Sequence, residues 1–290
     1  MSLQSIMFNI NASIADRKRD RLTPFPAGVS QCRNVVYMHC GHHQYKLDVY
    51  FPDGTTQSLP TIVSIHGGGY VYGSKELYRR YCMDLARRGF SVVNFNYRLA
   101  PQHRFPAPLE DINAVMEWIC SNKDTYHLDP SNIFLVGDSA GAYLAGHYLA
   151  LWSNPDFAAR FDFRTPRGIT IRGAALNCGL YRYKDSELIF KDLLGPRISP
   201  QDPRLDIYGN ITGDFPPAFV MTSHYDFLRE DAMPMYECLN RAGVPAVYRL
   251  YGTQEQKHMG HVFHCNLNLP EARQCNADQC EFFRSLMQKE

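Results

Sequence analysis

Short apolar runs alternate with longer amphipathic stretches along most of the chain. The runs are rich in β-branched and aromatic residues and occupy residues 90–97, 132–137, 170–177, 217–224 and 246–252. Gly, Pro, Asn or Asp residues flank these runs. Apolar runs with such boundaries are typical of β-strands. Helical spacing of apolar residues predicts helices over 107–122, 229–242 and 274–288. Strands and helices in alternation indicate a mostly parallel sheet with helices on both faces.

Three segments depart from that alternation. Residues 33–51 contain two strand-like runs around a glycine-containing turn, which predicts an antiparallel hairpin at the start of the sheet. Residues 1–30 and 179–213 fit neither pattern, and we expect both to fold over the carboxyl edge of the sheet as a small lid. Because no linker divides the remainder, residues 31–290 are predicted to form one α/β domain that contains the 179–213 insertion.

Charge and hydropathy restrict the choice of partners and location. Thirty Lys and Arg side chains balance twenty-nine Asp and Glu, so the chain has no net field to attract nucleic acid or an anionic membrane. No apolar stretch is long enough for a membrane span, and the charged N-terminus lacks the apolar core of a signal peptide. We therefore expect a soluble cytoplasmic protein whose partner is a small molecule.

Cysteines and histidines raise the question of a metal site. Nine scattered cysteines lack the paired spacings of zinc ligands, and we expect them to be reduced and mostly buried. The sequence His39-Cys40-Gly41-His42-His43 lies at the predicted hairpin turn, where adjacent histidines point to opposite faces of a strand. A solvated turn is favoured there, and neither a metal nor another cofactor is predicted.

A nucleophile is predicted where the apolar run 132–137 continues into Gly137-Asp138-Ser139-Ala140-Gly141 and a helix of small residues. A G-x-S-x-G motif between a strand and a helix is typical of a nucleophile elbow, a strained turn that exposes the serine at the sheet edge. The alternative is a glycine-flanked turn that only packs. A second motif elsewhere in the chain favours Ser139 as a nucleophile.

That second motif is His66-Gly67-Gly68-Gly69, which follows a β-branched apolar run. A serine that transfers acyl groups needs N–H donors aimed at the oxyanion of the reacting carbonyl, and bare backbone provides them. We predict that the N–H groups of Gly67, Gly68 and Ala140 form this oxyanion hole. Gly69 would let the loop bend, and His66 is expected to brace it by hydrogen bonding.

With these motifs the chain resembles the hormone-sensitive-lipase-like branch of the α/β-hydrolase esterases. The matching segments follow the family's order from about residue 45 to the C-terminus: HGGGYVYGS, NYRLAPQHRFPAPLED, GDSAG, PPAFVMTSHYDFLRED, RAGVPAVYRLY and HVF. The resemblance implies an α/β-hydrolase fold with an eight-stranded, mostly parallel sheet and a lid. It also implies a serine esterase that hydrolyses carboxylic esters through an acyl-enzyme and needs no cofactor.

Catalytic triads in this fold follow the chain order serine, acid, histidine. Asp226 directly follows the strand-like run PAFVMTSHY, in a segment that resembles the family's acid motif. The carboxyl end of a strand faces the site in an open α/β sheet, so Asp226 is the predicted acid. Glu230 and Asp231 are nearby alternatives that are better explained as carboxylates at a helix start.

Three histidines follow the last predicted strand, where the base is expected: His258, His261 and His264. The family's pattern is histidine, usually glycine, then phenylalanine. His261 fits best because Phe263 lies two residues later, although Val262 stands at the glycine position. We predict that His261 is the base.

Two tyrosines are expected to limit the size of the acyl group. The resemblance places Tyr70 and Tyr143 near the reacting centre, where their rings would favour acetyl to about butyryl esters. Two other functions stay open: cleavage of an aryl formamide or related amide by the same residues, and a small-molecule receptor that has lost catalysis. The presence of all three triad residues disfavours the receptor. The sequence leaves the natural substrate and the oligomeric state open.

Overall fold

One eight-stranded sheet organises the part of the chain that the computed structural model describes, which is residues 1–39, 41–182 and 188–287. The strands are β1 (Val29–Val36), β2 (Lys46–Pro52), β3 (Leu59–Ile65), β4 (Ser91–Phe95), β5 (Leu128–Asp138), β6 (Ile171–Asn177), β7 (Ala218–Ser223) and β8 (Ala246–Tyr251). The helices are α1 (Leu3–Leu22), α2 (Lys75–Ala86), α3 (Ala107–Asn122), α4 (Ala140–Ser153), α5 (Pro155–Ala158), α6 (Leu188–Leu194), α7 (Arg229–Arg241) and α8 (Pro270–Leu286). None of the helices in these ranges is long and apolar enough to cross a bilayer.

The strand order in the sheet is β1-β2-β4-β3-β5-β6-β7-β8. Strand β2 runs antiparallel to both β1 and β4, and every other neighbouring pair is parallel. The predicted α/β-hydrolase fold, with its mostly parallel sheet and initial antiparallel hairpin, is confirmed. Because β3, β5 and β7 run in the same direction, the loops after them meet at one edge of the sheet, where ligands bind in open α/β folds.

Helices cover both faces of the sheet and create two apolar cores. Alternate residues of the central strands point to opposite faces, so Val63 of β3 joins one core and Ile62 joins the other. The first core includes Leu109 of α3 and Leu144 of α4, whereas the second includes Phe283 of α8. Strands buried on both sides explain the near-continuous apolar runs seen in the sequence.

The predicted helices agree with the structure to within one or two residues at every end but one. Helix α3 occupies the predicted residues 107–122, and α7 ends just before Gly243, which has a left-handed φ of 76°. Helix α8 begins at Pro270 rather than at the predicted residue 274. Proline fits the first turn of a helix, where its missing N–H costs nothing, so the helix starts before its periodic apolar face does.

The two segments expected to form a lid contact each other. Helix α1 lies in the first segment, and α6 with two short 3₁₀ turns lies in the second, of which residues 183–187 fall outside the described residues. The N–H of Ser2 and the hydroxyl of Ser5 donate to the Asp192 carboxylate at 2.8 and 2.6 Å. Arg19 near the other end of α1 donates to the Leu77 carbonyl at 2.9 Å. Helix α1 is thus anchored at both ends; its role as a lid stays a prediction.

Candidate active site

Ser139 occupies a strained turn between β5 and α4, the elbow formed by residues 137–141. Its φ of 54° and ψ of −119° lie outside the regions that non-glycine residues prefer, at a typical cost of about 1–3 kcal/mol. The Ser139 N–H donates to the Asn177 carbonyl of β6 at 3.0 Å, which fixes the turn through backbone alone. A side chain at Gly141 would collide with the Ile65 carbonyl of β3, so glycine permits this close approach.

Asp226 and His261 lie close together beyond the ends of β7 and β8. The His261 Nδ1 is 2.7 Å from the Asp226 Oδ1, and this carboxylate also accepts from Thr222 Oγ1 at 2.8 Å and Leu228 N–H at 2.9 Å. Burial alone would raise the pKa of Asp226, but the His261 hydrogen bond and the two other donors together lower it. The carboxylate is therefore ionised near neutral pH. It holds the ring proton on Nδ1, which leaves the other ring nitrogen as an acceptor.

The other sequence candidates lie in different environments. His258 is half exposed and 3.6 Å from the Glu271 carboxylate, whereas His264 is fully buried, and burial lowers its pKa to about 3. Glu230 and Asp231 belong to the first turn of α7, where carboxylates favour the positive end of the helix dipole. Of the three candidate histidines, all within the described residues, His261 is the one hydrogen-bonded to Asp226.

The glycine loop, residues 66–69, presents its N–H groups in two directions. The buried Gly67 donates its N–H to the Tyr78 hydroxyl at 3.0 Å, which differs from the expectation that this group faces the reacting carbonyl. Gly68 and Gly69 are partly exposed, and Gly68 has a φ of 116° that only glycine adopts readily. Within the described part of the chain, the amides of Gly68, Gly69 and Ala140 have no hydrogen-bond partner.

Two aromatic side chains brace the glycine loop, as expected for His66. The His66 Nδ1 lies 2.7 Å from the Gly67 carbonyl and donates to it, while the imidazole stacks on Tyr97 with ring centroids 4.1 Å apart. The Tyr97 hydroxyl donates to the His66 carbonyl at 3.0 Å. Burial lowers the pKa of His66 to about 4, so the ring is neutral near pH 7. His66 is therefore a structural support.

Two cavities meet at Ser139. The larger, of about 350 Å³, lies between α1 and the glycine loop and reaches His261. The smaller, of about 60 Å³, is bounded by the glycine loop, the elbow and the two lid segments; its walls include Gly69, Tyr70, Ala140, Leu180 and Phe190. Phe8 of α1 and the exposed Phe227 border both cavities.

The two predicted substrate-binding tyrosines lie at different depths. Tyr70 borders the small cavity directly. Tyr143 lies behind it, fully buried, with its ring centroid 5.8 Å from that of Tyr70 and its hydroxyl donating to the Leu205 carbonyl at 3.3 Å. Tyr143 can therefore influence the cavity only by supporting Tyr70 and its neighbours.

In the histidine-rich turn at residues 39–43, His42 forms a pair with His103 from a later segment of the chain. The Gln44 N–H donates to His42 Nδ1 at 3.2 Å, so the neutral ring carries its proton on Nε2. That nitrogen lies 2.9 Å from His103 Nε2, at hydrogen-bond distance. In this arrangement neither nitrogen of His42 offers a lone pair to a metal. Cys40 lies outside the described residues.

Comparison with known proteins agrees with the fold. A family model described as the alpha/beta hydrolase fold matches residues 62–265, more than half of the chain. The chain therefore belongs to the alpha/beta hydrolase family. Among curated proteins it is similar to an acetyl esterase from Salmonella paratyphi B, with 29% identity over 217 residues. The match covers 70% of this chain and 66% of that relative, just under two thirds of its length.

Solved structures of esterases share this fold over nearly the whole chain. Esterase B from Lactobacillus rhamnosis superposes with a TM-score of 0.90 at 23% identity, over 98% of this chain and 95% of that chain. An esterase of the bacterial hormone-sensitive lipase family is 25% identical, with a TM-score of 0.75, and the match covers 95% of this chain and 90% of that one. The resemblance to the hormone-sensitive-lipase-like family is confirmed.

Proposed function

We propose that this protein is a serine carboxylesterase that hydrolyses short-acyl esters. The observation that carries the proposal is the 2.7 Å contact between His261 Nδ1 and Asp226 Oδ1, beside a cavity that Ser139 and His261 share. An ionised carboxylate, an oriented imidazole and a serine on a strained elbow are the parts that acyl transfer requires. The acetyl esterase relatives support the same reaction class.

In the proposed mechanism, His261 removes the proton from Ser139 as the serine oxygen attacks the ester carbonyl. Asp226 stabilises the imidazolium that forms, since its own pKa is lowered and it stays ionised. The imidazolium then protonates the leaving alcohol, and the acyl group remains on Ser139. A water molecule, activated by His261 in the same way, attacks this acyl-enzyme and releases the acid.

We assign the oxyanion hole to the amides of Gly68, Gly69 and Ala140. Their N–H groups have no partner in the described part of the chain and lie beside Ser139, whereas the Gly67 N–H is donated to Tyr78. Donors held ready before the reaction stabilise the developing charge without reorganisation. This assignment keeps the predicted Gly68 and Ala140 and replaces Gly67 by Gly69.

Each of the two cavities is proposed to bind one part of the ester substrate. We assign the acyl group to the small cavity because Gly69 and Ala140, two of the proposed oxyanion donors, line it. About 60 Å³ has room for only a few carbon atoms, and the rings of Tyr70 and Phe190 are among its walls. The alcohol would lie in the larger cavity beneath α1. Short acyl groups on larger alcohols are therefore the proposed substrate class.

A chain-length series tests this assignment. We expect kcat/KM to be greatest for p-nitrophenyl acetate or butyrate and to fall sharply for the octanoate and palmitate esters. Phe190→Ala, which opens the small cavity, should move the optimum toward longer acyl chains. Tyr143→Phe is the matched control because it removes only a buried hydroxyl behind the cavity wall. An optimum at octanoate or longer in the wild type would contradict the assignment.

A further inference from the structure

The Tyr78 hydroxyl lies between the elbow and the glycine loop. Its oxygen is 3.0 Å from the Gly67 nitrogen and 2.6 Å from Asp138 Oδ2, and the side chains of Tyr78 and Asp138 are buried. A backbone N–H can only donate, so the tyrosine oxygen must accept there and give its own proton to Asp138. The short distance to the carboxylate is typical of a strong hydrogen bond to an acidic group.

This chain of bonds connects the two halves of the proposed reaction centre. Asp138 directly precedes Ser139 and is paired with Asn177 in the β5–β6 register, so the sheet fixes its position. Gly67 directly precedes Gly68 in the glycine loop. Resting on the function proposed above, we infer that Tyr78 is a positioning residue that sets the distance between the oxyanion donors and Ser139.

The physical need for such a link follows from the geometry of the hole. Oxyanion donors act at about 2.7–3.1 Å, and a displacement of about 1 Å can cost about a hundredfold in rate. Gly68 and Gly69 lack side chains that could anchor them. Burial raises the pKa of Tyr78 well above its ordinary value, so its hydroxyl keeps the proton that the link requires. Tyr78 also lines the larger cavity, and it reaches the oxyanion donors through Gly67.

The test compares Tyr78→Phe with Tyr81→Phe. Both tyrosines are buried in α2, but the Tyr81 hydroxyl lies 3.1 Å from Gln279, away from the glycine loop. For Tyr78→Phe we expect kcat for p-nitrophenyl acetate to fall about tenfold to a hundredfold, with KM changed less than about twofold. Inhibition by phenylboronic acid, whose tetrahedral serine adduct fills the oxyanion hole, should weaken in proportion to kcat. Tyr81→Phe should leave all three quantities within about twofold.

A second variant, Asp138→Asn, alters the acceptor of the Tyr78 hydrogen bond instead of its donor. Asp138→Asn weakens the acceptor of the Tyr78 proton, and it should lower kcat and boronate affinity together in the wild-type background. In the Tyr78→Phe background the same substitution should have little further effect, because the link is already broken. This single variant also carries the test if Tyr78→Phe fails to fold.

The possible results separate the inference from the proposed function. A folded Tyr78→Phe protein that has a lower Tm but unchanged kcat and boronate affinity would overturn the positioning role. The positioning role would also be overturned if the effects of Tyr78→Phe and Asp138→Asn on kcat were fully additive in the double variant. A wild-type protein that neither hydrolyses the ester nor binds the boronate would instead overturn the proposed esterase.

Discussion

The elbow and the glycine loop are both tight turns beside Ser139, but they are held in different ways. Backbone holds the elbow: the Ser139 N–H bonds to Asn177 of the neighbouring strand, and the carbonyl of Ile65 leaves no space for a side chain at Gly141. The glycine loop is held by side chains as well, because the ring of His66 and the hydroxyl groups of Tyr78 and Tyr97 add to the backbone bonds from Val71 and Tyr72 to the Gly68 carbonyl.

The difference predicts two kinds of sensitivity to mutation. A turn held by backbone should tolerate the loss of side-chain atoms and fail when atoms are added. A turn held by hydroxyl groups should lose its geometry when a single oxygen is removed, because a buried polar group left without its partner typically costs about 1–3 kcal/mol. One centre thus combines a rigid nucleophile with donors whose position depends on distant side chains.

The largest expected effect comes from removing side-chain atoms at the elbow and its partners. Ser139→Ala and His261→Ala should each lower kcat by roughly 10⁴ to 10⁶, since the residues of a triad act as a unit. Thermal unfolding of Ser139→Ala should match the wild type, because the backbone bonds of the turn remain. His258→Ala is the control for the base and should keep nearly full activity. Loss of activity in His258→Ala but not in His261→Ala would contradict the assignment.

The next effect comes from adding atoms to the same turn. Gly141→Ala places a methyl group against the Ile65 carbonyl, and we expect it to destabilise the fold by about 3 kcal/mol or more and to lower activity through the loss of folded protein. Gly146→Ala, five residues later in α4, has ordinary contacts no closer than 3.7 Å and should raise stability slightly. Urea unfolding of both variants measures the contrast, and equal stability in the two would refute a backbone-packed elbow.

The smallest expected effect is that of pH on stability. Acidification should destabilise the fold through His66 in the glycine loop and stabilise it through Asp138 in the elbow. Burial lowers the pKa of His66 in the glycine loop to about 4, below the ordinary 6.5 of the unfolded chain. The unfolded chain therefore binds this proton first, and stability is lost as pH falls below about 6.5. Burial raises the pKa of Asp138 in the elbow from 3.8 to about 7. The folded protein binds that proton first, so this contribution is lost as pH rises toward 7.

Asp138→Asn should remove the elbow's contribution and leave that of the glycine loop. Between about pH 4.5 and 6.5, the free energy of unfolding of the variant should then fall more steeply on acidification than that of the wild type. The expected difference in slope is about 1.4 kcal/mol per pH unit, which corresponds to one proton. Urea titrations at several pH values measure it, and parallel curves for the two proteins would show that Asp138 does not titrate in this way.

The sequence predicts the parts of this centre that depend on local pattern. Ser139 is predictable because a strand, two glycines and a helix of small residues surround it, and Asp226 because it follows a strand. The central strands and α3 are predictable because burial produces regular periodicity. Their chemical roles stay predictions until they are measured.

The sequence does not predict how the side chains of distant residues meet. The amide of Gly67 has the same local pattern as those of Gly68 and Gly69, and its partner is a hydroxyl on α2. Nothing in the periodicity of α2 distinguishes Tyr78 from Tyr81, which lies one turn later with a different partner. Such contacts depend on the packing of α2 against the sheet, and tertiary structure alone determines them.

Val262 has a consequence for how this protein can change. It adopts a left-handed conformation, with φ of 51° and ψ of 34°, at the position where the resemblance leads one to expect glycine. A β-branched residue there costs roughly 1–2 kcal/mol, but Val262 packs against the second apolar core and lines the larger cavity with His261. Every valine codon is one nucleotide from a glycine codon. A single point mutation to glycine would therefore relieve backbone strain, remove this packing and widen the proposed alcohol site, so substrate fit could change in one step with opposing effects on stability.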